Sequence, residues 1–260
     1  MKITILTENT AGGRFLAEHG LSYLIEIDGE KILFDTGHSD VFLKNAEKLG
    51  INIHREVEKV VLSHGHWDHG AGLQFLKNKV LITHPASFIR RFRQHDKSPI
   101  GLNLGKKQLE EKFEIRVSTE PVQITKHLFF LGEIPRINDF EAQTTTFMDE
   151  FQNEDFIPDD SALAAIINNQ LVVVTGCSHS GICNITAQAK KETGIHNVKA
   201  VIGGFHLKKN DRQTQKTIAF FKEEKVNEIY PSHCTELPAL AAFHEAFQTQ
   251  QLKTGTMLKF

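Results

Sequence analysis

The chain has 260 residues, enough for one large hydrophobic core or two small ones, with 40% hydrophobic and 24% charged residues. That balance excludes disorder as the main state, and a formal net charge of -2 without a basic stripe excludes tight, non-specific nucleic-acid binding. The apolar start at Ile3–Leu6 is too short for a signal segment and no stretch reaches membrane-span length, so no membrane association is expected. The three cysteines, Cys177, Cys183 and Cys234, are expected as reduced thiols in the cytoplasm.

In chain order, residues 3–6 predict a short strand. Residues 21–27 and 31–34 predict a hairpin turning at Asp28-Gly29, and the second strand ends in Asp35-Thr36-Gly37. Helical spacing runs over 41–49, with Ser39 or Asp40 as N-cap and Gly50 as stop. A strand over 57–62 leads into Ser63-His64-Gly65-His66-Trp67-Asp68-His69, followed by a helix over about 70–77 and a strand over 80–83. Residues 85–111 read as a helix and then an irregular piece around Ser98-Pro99-Ile100-Gly101, a helical lid or insert at about 85–112.

Strands resume over 113–117, 122–124 and 128–131, and residues 134–158 read as a long acidic loop. A second hairpin spans 162–167 and 171–175 across Asn168-Asn169. Helices over 184–193, 214–224 and 239–247 alternate with strands over 198–202 and 228–230, and residues 257–260 close the chain as a strand. Each half is strand-rich first, then alternates strand with helix, which predicts a layered α/β or α+β fold. Without a linker or a repeat, the economical reading is a single domain over 1–260.

The run His64 to His69 carries the chemistry. His64 and His66 lie two apart after a strand, so an extended backbone points both to one side, and Gly65 permits a close turn. Asp68 and His69 sit where the chain enters a helix and point elsewhere. The arrangement reads as two metals side by side, one on His64 and His66, the other on Asp68 and His69, with zinc the best match and iron, manganese or magnesium as alternatives. Three later strand ends share this grammar and offer further groups: Cys177 and His179, His206, and His233. Asp35, also at a strand end, is a candidate to hold the ligand loop by hydrogen bonds.

This pattern resembles the metallo-β-lactamase fold superfamily: its HxHxDH signature stands as HGHWDH and its preceding DTG as Asp35 to Gly37. The motifs LSHGHWDHGAGL, TGCSHSGICN, GGFHL and PSHCT are similar to a subfamily that includes the dihydropterin/ribofuranosylaminobenzene 5′-phosphate synthases. The resemblance spans the whole chain and implies a four-layer αββα sandwich with two divalent metals at one edge. It implies that His64, His66 and His179 hold one metal and Asp68, His69 and His233 the other. The chain departs from the pattern in three places. Cys177 stands where most superfamily hydrolases carry a bridging Asp, so it is either a thiolate ligand or a bystander. Gly132-Glu133-Ile134-Pro135-Arg136 occupies the place of the usual third motif, and Glu236 stands where glycine is usual.

The leading expectation is an enzyme in which metals activate water or polarise a substrate oxygen, Asp68 orients the nucleophile, and His206 donates to developing negative charge. Its substrate is expected to be small and anionic or heterocyclic, pterin-like with a phosphate among the options, and the reaction either hydrolysis or condensation. An alternative is a di-iron oxygen-binding, redox or metal-sensing module; a third is a nuclease, which the charge disfavours. No nucleic-acid partner is expected, and homo-oligomerisation stays open.

Overall fold

The structure, a computed structural model, describes residues 1–226 and 228–260. Two compact units emerge: Met1–Thr119, Thr145–Asp159 and Lys253–Phe260 form the first, and Glu120–Thr144 with Asp160–Leu252 the second.

In the first unit, β1 (Lys2–Thr7), β2 (Ser22–Ile27) and β3 (Glu30–Phe34) form an antiparallel meander. Asp28 and Gly29 both adopt positive φ (54° and 81°), the backbone a tight right-twisted hairpin requires. Beyond β3 the sheet continues in parallel through β4 (Lys59–Val61), β5 (Lys79–Thr83) and β7 (Phe113–Val117). β15 (Met257–Lys259) pairs with β1 at the other edge. Helix α1 (Val41–Lys48) buries Phe42 and Ala46 in a core with Leu6, Leu24, Leu33, Val60, Leu62 and Leu81. A short helix α2 (Ile53–Glu56), not anticipated from the sequence, starts on Asn52, whose side chain accepts from the Arg55 N–H.

Two expectations change here. The helix expected over 70–77 is a single α-turn, α3 (Trp67–Gly70), followed by a 3₁₀ turn over Ala71–Phe75. The segment is pressed against the exit of β3: a Cβ on Gly72 would lie 2.2 Å from the Thr36 carbonyl oxygen. Residues 85–111 do not begin as an α-helix. Pro85 opens a 3₁₀ turn (Pro85–Phe88), and the chain then extends as β6 (Arg91–Arg93) to pair with β10 (Phe147–Asp149), a strand inside the expected acidic loop. The one α-helix in this segment is α4 (Lys106–Glu110).

In the second unit, β8 (Val122–Thr125), β9 (Leu128–Phe130), β11 (Ala162–Ile167) and β12 (Gln170–Thr175) run antiparallel. Asn168 and Asn169 take positive φ (50° and 60°) in the expected hairpin turn. β13 (Val198–Gly204) and β14 (Glu228–Ser232) then add in parallel to β12. The helices α5 (Ile182–Thr193), α6 (Arg212–Glu223) and α7 (Leu237–Phe247) contribute Ile185, Ile218, Phe221 and Phe243 to a core with Val173, Val201 and Phe205. Among the described residues no helix is long and apolar enough to cross a membrane.

Parallel neighbours end on the same edge of a sheet. Phe34 pairs with Val61, so the residues after β3 and β4 emerge side by side. Thr175 pairs with Gly203 and Gly204 with Ser232, so those after β12, β13 and β14 also emerge together. The polar residues expected to carry chemistry follow these strand ends.

Candidate metal centre

In the first unit, Asp35 organises the histidine loop. It is fully buried in left-handed backbone (φ 57°), just past the end of β3. Its Oδ1 accepts from the Ser63 N–H at 2.7 Å. Its Oδ2 accepts from the Ser63 hydroxyl and from His69 Nδ1, both at 2.7 Å. Because the Ser63 proton goes to Asp35, the Ser63 oxygen is left to accept from His64 Nδ1 at 2.9 Å. One carboxylate therefore fixes the tautomers of His64 and His69 together, leaving each Nε2 with a lone pair for a cation.

His64 Nε2 stands 3.0 Å from His66 Nδ1, close enough for both to reach one ion. The His64 and His69 rings are 4.3 Å apart. Asp68 is on α3, with Oδ2 at 3.9 Å from His69 Nε2 and 3.2 Å from His19 Nε2. The helical turn is laced to β3's exit, since the Thr36 N–H and hydroxyl both donate to the His69 carbonyl, at 2.7 and 3.0 Å.

Three residues that sequence reasoning missed hold the turn between His64 and His66. The Gly65 N–H donates to Asp159 Oδ2 at 2.7 Å. Arg91, almost wholly buried, grips Asp159 through both terminal nitrogens and donates from Nε to Asp155 at 2.6 Å. Gly65 is obligatory, since a Cβ there would fall 1.9 Å from the Ser87 carbonyl oxygen. Arg91 and Asp159 are 68 residues apart, so no local pattern could have joined them.

In the second unit, Cys177 and His179 follow β12, His206 follows β13, and His233 and Cys234 follow β14. The His179 and His206 rings are 4.4 Å apart. The sulfurs of Cys177 and Cys234 and a ring nitrogen of His206 lie within 4.8 Å of one another. Sequence reading left Cys234 aside; its tie to Cys177 and His206 depends on three strands meeting in register. Burial pushes the Cys234 thiol up, but hydrogen bonds with Cys177 and His206, and the nearby His206 and His233 rings, outweigh it and hold the thiol well below the usual range. Ser178, His206 and His233 all adopt left-handed backbone (φ 57°, 51° and 50°), a conformation non-glycine residues take at some cost and that gathers at functional sites.

Two further acids brace this unit. Asp160 accepts from the Ser180 N–H and hydroxyl at 2.8 and 2.5 Å, and burial pushes its carboxyl up to about 6. Glu141 caps α5, accepting from the Cys183 and Asn184 N–H groups at 2.9 and 3.0 Å. Burial pushes its carboxyl above the usual range.

The donors fit divalent metal ions. Buried imidazoles with tautomers fixed by a carboxylate, an aspartate beside them and, in the second unit, cysteine thiols are groups that zinc and its neighbours bind.

Comparison with known proteins gives the family. A family model for the metallo-beta-lactamase superfamily matches residues 17–86. An uncharacterized protein of Methanocaldococcus jannaschii, MJ0448, is 35% identical over 250 residues, covering 92% of each chain. The 7,8-dihydropterin-6-methyl-4-(beta-D-ribofuranosyl)-aminobenzene-5'-phosphate synthase of the same organism is 34% identical, covering 100% of this chain and 97% of the synthase. Among solved structures, Tm1679, a metal-dependent hydrolase of the beta-lactamase superfamily, superposes with a TM-score of 0.89 at 32% identity, covering 100% of this chain and 99% of the other. The chain belongs to the metallo-beta-lactamase superfamily, and its fold is the expected α+β, metallo-β-lactamase-like one.

Proposed function

We propose that the protein is a metal-dependent enzyme carrying two divalent ions, zinc foremost, and acting on a small molecule with a flat heterocycle and an anionic group. The observation that carries this reading is the Asp35–Ser63–His64–His69 relay, which presents imidazole lone pairs rather than N–H groups. The proposed ligands are His64, His66, Asp68, His69, His179 and His233. When bound, the metals supply Lewis acidity, lowering the pKa of a water or polarising a substrate oxygen.

The chain's own residues do the rest. Asp68 orients the attacking group, and His206 donates to negative charge on the substrate. A cavity of about 430 Å³ beside the histidine run is lined by Trp67, Phe92, Arg90, His38 and Asn103. Trp67 and Phe92 suit a flat ring, and the Arg90 guanidinium suits a phosphate or carboxylate. Similarity to the synthase favours a reduced pterin and a ribose phosphate as the substrates; similarity to a metal-dependent hydrolase keeps ester or phosphoester hydrolysis as the second reading.

The test is to load metal-free protein with zinc and incubate it with an aminobenzene ribose phosphate and a reduced pterin whose 6-methyl carbon carries a phosphate-type leaving group, reading adduct, released phosphate-type group and hydrolysis product by mass. Either product, formed with metal and abolished by a chelator, supports the proposal. Turnover that ignores the chelator sinks it.

A further inference from the structure

We propose that Cys177, Cys234 and His206 form a thiophilic cation site of their own, a Cys₂His set for zinc or another soft divalent ion. The histidine–aspartate ligand set does not use Cys234, and this inference gives Cys177 two partners within its own unit. One His206 nitrogen then serves the ion while the other keeps its N–H for the substrate's negative charge.

The three donor atoms lie within 4.8 Å of one another. They arrive from three consecutive parallel strands, β12, β13 and β14, so the sheet register sets their spacing. The backbone makes room for the second sulfur. A Cβ on Gly204 would lie 2.6 Å from Cys234 Sγ and 2.5 Å from the Gly176 carbonyl oxygen, so only glycine lets the sulfur approach. Gly203 has φ 129°, and a Cβ there would meet the Thr175 carbonyl oxygen at 2.1 Å.

The Ser178 hydroxyl ties the loops by donating to the Gly204 carbonyl at 2.7 Å, and Cys234 Sγ sits 3.5 Å from the Cys177 carbonyl oxygen. Cys177 is buried, while Cys234 and His206 are partly exposed, which leaves a path for an ion and a place for a fourth, non-protein ligand. Two sulfurs and an imidazole with one open position are a recurrent zinc set, and the softness of sulfur selects against magnesium and calcium.

The test uses cobalt(II) as the probe, loaded anaerobically into metal-free full-length protein and read by absorption. The expected result is thiolate-to-cobalt charge-transfer absorption in the near ultraviolet. Cys177→Ala and Cys234→Ala each diminish it, Cys234→Ala with loss of about one bound cobalt. Cys183→Ala, at a core position on α5, leaves it unchanged, and His64→Ala keeps it while losing cobalt elsewhere. Loaded protein without thiolate absorption overturns the inference. So does absorption that Cys177→Ala removes and Cys234→Ala leaves intact; that outcome hands Cys177 to the histidine–aspartate set and leaves the proposed function standing. Should Cys234→Ala fail to fold by circular dichroism, zinc protection of wild-type Cys234 from alkylation decides instead. Several-fold slowing supports the site, and unslowed labelling overturns it.

Discussion

Asp35 Oδ2 lies 2.7 Å from His69 Nδ1, both groups wholly buried, and the same oxygen receives the Ser63 proton that sets the His64 tautomer. A side chain that binds no metal in the proposed ligand set thus governs two that do. Asp35→Asn places an amide where a double acceptor is needed. Metal affinity, measured by chelator competition, is expected to fall about 10–100-fold with the fold retained by circular dichroism. Unaltered affinity would show that the relay does not control the ligands.

Asp68→Ala is expected to lose most turnover and at least one bound metal while staying folded, because Asp68 is on the single helical turn α3 and belongs to neither apolar core. Full activity with wild-type metal content would remove Asp68 from the site.

Arg91→Met is expected to cost roughly 3–5 kcal/mol of stability in denaturant unfolding, since it strands two buried carboxylates, Asp155 and Asp159. Replacing both acids with Asn alongside Arg91→Met should recover part of the loss. A cost below about 1 kcal/mol, the range of exposed ion pairs, would mean the network is not desolvated.

Gly65→Ala tests the turn itself. Its methyl group would meet backbone at Ser87, which cannot move aside like a side-chain tip. Weakened metal binding with most of the global stability intact is expected; tolerance of the alanine at wild-type affinity would contradict the packing.

Glu141 gives a pH dependence. Burial, the largest cause, raises its folded pKa above the unfolded value, despite the hydrogen bonds it accepts at the α5 terminus. Folding therefore favours the protonated form. Its contribution is fully present below the unfolded pKa and is lost as pH rises through the raised folded pKa. Glu141→Gln removes this titration, so the variant should gain stability relative to wild type as pH climbs from the unfolded carboxyl's value through the raised folded one. Parallel stability curves would exclude the assignment.

Much of this was legible in residue order, for a physical reason. The histidine run His64 to His69 is local, and a strand followed by a turn dictates where alternate side chains point. Asp28-Gly29 and Asn168-Asn169 announced their hairpins because tight turns demand positive φ. The segment after Pro85 misled because its polar, Arg-rich composition suits a surface helix, whereas Arg91 is drawn into the interior by two acids far along the chain.

By itself, then, the order of residues determined the strand ends, the histidine run and the α+β class, all of which rest on short-range periodicity and turn chemistry. Only the tertiary structure decided that Asp159 and Arg91 clamp Gly65, that Glu141 caps α5 and that Cys234 joins Cys177 and His206. Those partners are brought together by strand register and by the need to pair buried charge, and neither leaves a local trace in the sequence.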